Sequence, residues 1–526
     1  MPKRVLVIGW DGADWNVLRP MLEAGELPHL AALIERGAHG DCLSTVPSHS
    51  WTAWPSFMTG LNPAGHGVFD ILEHKPGVSR RLQVSYRSIK APTIFDDMSA
   101  GGKTTIAANI PLTWPAPEVK GRVIAGGVLP ANRTYTYPAD LQRTLDERAP
   151  WPINGMSWTT FRHRPEPFLE EASAITARRQ AAFEWLLDET SWDLAVLVYV
   201  ATDRIQHCLM RYVSPEHPEY KSLRDTPVGR RVRALYQRLD DGLGPLLERT
   251  GEDDLVIFMS DHGHQPCTRT CTMDRILAEL GWLSFSRTAF AFNLIRWGPG
   301  RRIARRLYDL LKLHGRVSIP ASPIEWSKTR AYTSVVSTGE GVSLNLEGRE
   351  PNGIVPRSDY ETVLQDLSAA LAEWRDPVTG KAPIRKIYRR EEVMSGRFLD
   401  EAPDLLLVPA PLYSLAHARS AVEPADWLSG DHRLEGVLVA TGPEVTPGPL
   451  PESARLIDLA PTVLAALGVQ SAIPRDGQVL EALAGSGVKL GVKEGEAGVK
   501  PHDDAGLSSG EEEEIEEHLR GLGYVE

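Results

Sequence analysis

Three apolar runs, far apart in the chain, each lead into an aspartate. Residues 4–10 run into Asp11, residues 193–201 run through Thr202 into Asp203, and residues 254–259 run through Ser260 into Asp261. Continuous apolar runs of this length suit parallel strands covered on both faces. Helix-like segments fall between them, at residues 16–37, 172–187 and 229–249. This alternation predicts an α/β fold, a doubly wound and mostly parallel sheet flanked by helices. Ligands of such sheets bind outside the carboxyl ends of the strands, so the three carboxylates are expected along one rim. A single strand ending in Asp is ordinary, because Asp serves turns and helix caps. Three such ends, two with a histidine within four residues, point to a shared site.

The rest of the chain elaborates this frame. Strands are expected at 104–109, 122–125, 404–408 and 436–441, the last two resuming the sheet. Residues 56–60 are expected to begin a helix after a loop that carries Ser50, and Asp458 to cap a last core helix with Pro461 in its first turn. Regions of about 70–170 and 266–400 read as cap-like elaborations on a body spanning 1–484. A basic helix near 301–314 reads as a solvated amphipathic face. Residues 485–510 are Gly-rich and read as a flexible linker. Residues 511–526 read as an acidic helix with Ile515, Leu519 and Leu522 in one stripe, suited to docking on the body or on a protein partner.

Composition removes several function classes. A formal net charge of -12 argues against a nucleic-acid polymer as ligand, which needs a positive footprint. The apolar start is too short for a secretory signal, and no run approaches the ~18 apolar residues of a membrane span. Four cysteines in 526 residues do not make a disulfide framework. A cytoplasmic protein with reduced thiols is expected.

The candidate ligands come in pieces with metal-binding chemistry. Asp203 and His207 stand at i and i+4, so a helix starting near Asp203 puts both on one face. Asp261 and His262 are adjacent in Ser260-Asp261-His262-Gly263, and His432 sits in Gly430-Asp431-His432. Imidazole with carboxylate suits Zn²⁺, with Mn²⁺ the alternative. Six ligands exceed one tetrahedral ion, so two divalent ions are expected.

Taken in order, these pieces resemble the alkaline phosphatase superfamily, most closely its type I phosphodiesterase/nucleotide pyrophosphatase branch. The matching residues are Asp11-Gly12, Ser50 nine residues before Thr59-Gly60, Asn62-Pro63 with His66-Gly67, Thr202-Asp203 through His207, Asp261-His262-Gly263, Gly430-Asp431-His432 and the segment from Asp458 to Thr462. The resemblance implies an alkaline-phosphatase-like catalytic domain over 1–484 and two metal sites. One is formed by Asp203, His207 and His432. The other is formed by Asp11, Asp261 and His262 with Ser50 beside it. It implies that Ser50, metal-activated, is the catalytic nucleophile toward a small phosphoester, through a phosphoseryl intermediate. Thr52 is the rival hydroxyl, and the nine-residue spacing to Thr59 favours Ser50. His49, His66 and His264 read as bystanders. The alternatives are a phosphomonoesterase, a phosphoglycerate-mutase-like phosphotransferase, and a non-catalytic scaffold of the same fold.

Overall fold

A computed structural model describes residues 2–73, 82–130, 132–161, 164–286, 324–416, 418, 420–450, 454–493 and 509–522. Its frame is a ten-stranded sheet. The central strand Val5–Trp10 pairs in parallel with Leu194–Tyr199 on one side and Leu255–Met259 on the other. Thr105–Ala108 and Gly121–Ile124 extend the parallel part. Glu435–Thr441 and Ala38–Leu43 close the other side as antiparallel neighbours. Alternate residues of the central strand serve two cores: Leu6, Ile8 and Trp10 face one, Val5 and Val7 the other. Both faces are therefore covered, which is why the central strands read as unbroken apolar runs.

Three local readings change. Residues 404–408 do not resume the main sheet. Leu405–Pro409 lies in a separate four-stranded antiparallel sheet with Gly341–Leu344, Ile384–Arg389 and Ala331–Val335. An apolar run fits a buried strand of either sheet, and only its partners decide which. Ala38–Leu43 is a strand that its polar composition hides; it lies toward the sheet edge, where much of it is only half-buried. The helix expected from residue 56 begins at Ser50, as Ser50–Thr59, with His49 as its N-cap.

Within the region read as an elaboration over 70–170, Thr105–Ala108 and Gly121–Ile124 belong to the main sheet itself. The basic helix near 301–314 lies outside the described residues. Residues 485–493, read as linker, run against the body: Ser471 N donates to Gly491 O and Lys493 N to Ser471 O. The C-terminal helix Ser509–Leu522 docks on the body, with Ile515 and Leu519 buried in the second core. Among the described residues, no helix is long and apolar enough to cross a membrane.

Candidate active site

The register of the three parallel strands fixes the rim. Trp10 pairs with Tyr199 and Gly9 with Met259, so the residues that follow each strand emerge side by side. Asp11, Asp203 and Asp261 are all buried there. Gly12 takes φ 67°, a left-handed turn that favours glycine. Its N–H donates to Asp261 Oδ1 at 3.0 Å, and Thr202 Oγ1 donates to Asp11 O at 2.6 Å. These bonds tie the three strand ends to one another.

Four imidazoles close over the carboxylates. Asp203 and His207 share one face of the helix Ala201–Leu209, as their spacing requires. His264 and His432 are cross-strand partners in the antiparallel pair Gly263–Cys271 and Gly430–Arg433. His207, His264 and His432 bring Nε2 to 3.2, 3.6 and 3.7 Å from Asp203 Oδ1, yet that oxygen has no partner with hydrogen-bond geometry. His207 Nε2 is 3.1 Å from His432 Nε2. Metal–nitrogen bonds of about 2.0–2.1 Å place tetrahedral ligand atoms about 3.3 Å apart, so these separations match the edges of one coordination shell.

The ring tautomers agree. His207 Nδ1 faces Gly430 O at 3.2 Å, His264 Nδ1 faces Gly12 O at 3.1 Å, and His262 Nδ1 faces Gly263 O at 3.1 Å. A carbonyl only accepts, so each Nδ1 carries a proton and each Nε2 is the atom turned toward the site; burial pushes His207 down, but the Asp203 carboxylate outweighs it and raises His207 above the ordinary histidine range. Burial, reinforced by neighbouring imidazoles, pushes His264 and His432 well below the ordinary histidine range and keeps them neutral, the form that binds metal.

A second group lies alongside. His262 Nε2 is 3.3 Å from Asp261 Oδ2 and 3.7 Å from Asp11 Oδ1. Asp261 Oδ2 is buried without a hydrogen-bond partner. Burial raises Asp261 to about 8. Burial, with the charges of Asp261 and Asp203, also raises Asp11 well above its ordinary value. Carboxylates held this way lack a counter-charge, and divalent cations supply one. Asp203 is the exception: burial pushes it up, but His207, His432 and Arg204 outweigh burial and hold it well below the usual range.

Ser50 stands beside the second group. Its Oγ donates to Asp11 Oδ1 at 3.1 Å and lies 3.2 Å from His262 Nε2. As the first residue of its helix it sits where the helix dipole favours an anion. Trp54, one turn on, donates Nε1 to Asp11 Oδ2 at 2.9 Å and fixes the carboxylate. Thr52 faces elsewhere: its Oγ1 donates to Pro47 O and His49 O at 2.9 and 3.0 Å.

The bystander readings divide. His66 is buried between Ser56 Oγ, at 2.8 Å from Nε2, and the N–H of Val68, and serves its turn. His49 is fully buried, and burial lowers it to about 3. His264, by contrast, belongs to the cluster around Asp203. Sequence reasoning also misses Asn109, which directly follows the strand Thr105–Ala108 with φ 60° and lines a cleft with Ser50, Asp11 and Asp203. A polar residue just past a buried strand was its only trace.

Residues 5–433 match the family described as type I phosphodiesterase/nucleotide pyrophosphatase. Among solved structures, the fold is similar to phosphonoacetate hydrolase from Sinorhizobium meliloti 1021 in complex with phosphonoformate, with 17% identity over 87% of this chain and 94% of that one and a TM-score of 0.55. It is also similar to human ectonucleotide pyrophosphatase/phosphodiesterase 5, with 15% identity over 90% and 97% of the two chains and a TM-score of 0.50. No curated protein sequence matches the chain.

Proposed function

Because the chain belongs to the type I phosphodiesterase/nucleotide pyrophosphatase family, we propose that it is a metal-dependent hydrolase of small phosphodiesters that works through a phosphoseryl intermediate. The observation that carries this reading is Ser50 Oγ, at a helix N-terminus and within 3.2 Å of both Asp11 and His262. Asp203, His207, His432 and His264 would hold one divalent cation, and Asp11, Asp261 and His262 the other. Bound there, two such ions make a serine hydroxyl and a water more acidic and stabilise charge on attacking and leaving oxygens.

The chain's own groups do the positioning. Asp11 Oδ1 receives the Ser50 hydroxyl proton and aims Oγ at phosphorus. Attack forms the Ser50–phosphorus bond and breaks the bond to the leaving alcohol. A water then opens the phosphoserine and restores the hydroxyl. The positive end of the dipole of the helix Ser50–Thr59, which starts at Ser50, favours the negative charge of the phosphoryl group.

The assay is nitrophenol release from bis- and mono-(4-nitrophenyl) phosphate after loading with Zn²⁺ or Mn²⁺. Turnover of the diester above the monoester is expected. Ser50→Ala should reduce it by at least about a thousandfold, as expected when a covalent nucleophile is removed. Thr52→Ala should cost stability instead, because its hydroxyl holds the loop before Ser50. Inactivity with both metals would favour the scaffold reading. A dead Thr52→Ala beside an active Ser50→Ala would overturn the nucleophile.

A further inference from the structure

The segment that follows the helix Ser50–Thr59 is tied to it at one end and to the small sheet at the other. His66 Nδ1 accepts the N–H of Val68 at 3.2 Å, so its proton is on Nε2 and is donated to Ser56 Oγ at 2.8 Å. Burial lowers His66 to about 3, so the ring stays neutral. Val68 and Ile71 are buried in the same core as Trp51, Trp54 and Phe57 of the helix. Between those two, buried Asp70 carries its carboxylate to the four-stranded sheet that holds Ala331–Val335.

That sheet meets Asp70 with a buried turn. Residues 336–340 join the strands Ala331–Val335 and Gly341–Leu344. Asp70 Oδ2 accepts the N–H of Val336 at 2.7 Å and that of Ser337 at 3.4 Å. Its Oδ1 accepts the Ser337 hydroxyl and the N–H of Ile71. Gly339 takes φ 70°, and a Cβ there would stand 1.9 Å from Leu415 O. Leu407 N donates to Glu340 O at 2.8 Å, so the strand Leu405–Pro409 braces the turn. Connecting turns ordinarily lie on the surface. Here Ser337, Thr338 and Glu340 are all buried, and Thr338 Oγ1 and Glu340 Oε1 have no hydrogen-bond partner among the described residues. The Glu340 carboxyl lies by the loop that leads into Ser50: burial and the charge of Asp431 raise it well above the usual carboxylate range, and the backbone N–H of Ser48 opposes them.

The carboxylate of Asp70 does more than close a turn. Burial outweighs all four of its hydrogen bonds and still raises it above its ordinary value, so as a mere join between two surfaces it costs free energy that an apolar contact would not. What it supplies is fixed geometry. Two oxygens take four donors from two segments, and neither segment slides without breaking one of the bonds. We propose, on the reading of Ser50 as the nucleophile, that Asp70 is a positioning residue: it ties the turn at 336–340 to the segment behind the helix Ser50–Thr59 and so fixes Ser50 Oγ against Asp11. It stands outside both groups of candidate metal ligands, so its effect passes through the backbone that carries the serine.

The test compares Asp70→Asn and Ser337→Ala with the unaltered, metal-loaded full chain. An amide has one accepting oxygen where the carboxylate has two, so Asp70→Asn leaves donors of the turn unmet. Two readouts are taken, steady-state turnover of bis-(4-nitrophenyl) phosphate and amide hydrogen exchange followed peptide by peptide. In Asp70→Asn, kcat should fall about 10–100-fold with KM held within about twofold, the scale of a small misplacement of a reacting atom. Exchange should quicken by about tenfold in residues 48–54 as well as in 331–344, because the two segments loosen together. Ser337→Ala removes one of the bonds to the turn and should move both readouts the same way by less. Unchanged kcat overturns the proposal. So does faster exchange confined to 331–344, which would make Asp70 a brace of the small sheet alone. If Asp70→Asn fails to fold, Ser337→Ala carries the test under the same two conditions. If the unaltered chain turns over no diester, the proposed function falls, and exchange at 48–54 still decides whether Asp70 holds the segment that carries Ser50.

Discussion

His264 owes its place to a neighbour across the sheet. It sits opposite His432 in register, its N–H donates to Asp14 Oδ2 at 3.1 Å, and its Nε2 is buried without a hydrogen-bond partner. A Cβ on Gly12 would stand 2.6 Å from its ring, so Gly12 is small both for its own φ and to leave room for this imidazole. A ring fixed on three sides with its lone pair facing Asp203 is arranged as a ligand. His264→Ala should therefore weaken metal retention by about tenfold or more, the order seen when a metal site loses an orienting or coordinating group. The readout is competition against a chromogenic chelator. Unchanged retention, with only a lower melting temperature, would mean that His264 packs beside the site rather than joining it.

Two helices place the reactive hydroxyl, one directly and one from outside. The helix Ser50–Thr59 is buried along its whole length. Arg475 anchors its end, donating to Thr59 O and Pro92 O while pairing with buried Asp97. The C-terminal helix Ser509–Leu522 supports the other end. Ile515 lines a crevice with Trp51, Trp114 and Gly127, and Trp51 is also a wall of the cleft that holds Ser50. Arg133 pairs with Glu511 at its start. Exposed ion pairs of this kind contribute little, so the two buried aliphatic side chains hold the helix. Ile515→Ala should lower stability by about 2–4 kcal/mol. Removal of residues 509–526 should lower both the melting temperature and diester turnover, because the wall beside Ser50 loses its backing. A truncated chain with unchanged melting and turnover would show that the helix merely rests on the surface.

At the scale of the whole molecule, the site joins segments from almost the entire body. Asp11 and His432 are separated by most of the chain, and Asp203 and Asp261 follow the ends of two further strands. Cations bound among them would act as cross-links between sheet, helix and hairpin. On the two-cation reading they would bind the native state and not the dispersed ligands of an unfolded chain, and so would stabilise it by mass action. Chelation should lower the melting temperature markedly, with about 2.7 kcal/mol lost for an ion present at a hundred times its dissociation constant. Adding Zn²⁺ or Mn²⁺ back should restore it. Equal melting curves with and without chelator would be incompatible with the two-cation reading.

Much of this was legible along the chain, because burial leaves a local signature. A strand covered on both faces has to be apolar throughout, so residues 4–10, 193–201 and 254–259 announced the sheet, and their register carried Asp11, Asp203 and Asp261 to one rim. The i, i+4 spacing of Asp203 and His207 is a property of any helix and needed no partner. What depends on partners was not legible. The strand at Ala38–Leu43 owes its form to pairing with Glu435–Thr441. The run ending at Pro409 joined another sheet because both sheets accept the same apolar pattern. His264 became a member of the cluster only through its cross-strand contact with His432. Periodicity and turn chemistry act over a few residues and are written in order; the meeting of side chains hundreds of residues apart is set by packing, which no short stretch of the chain encodes.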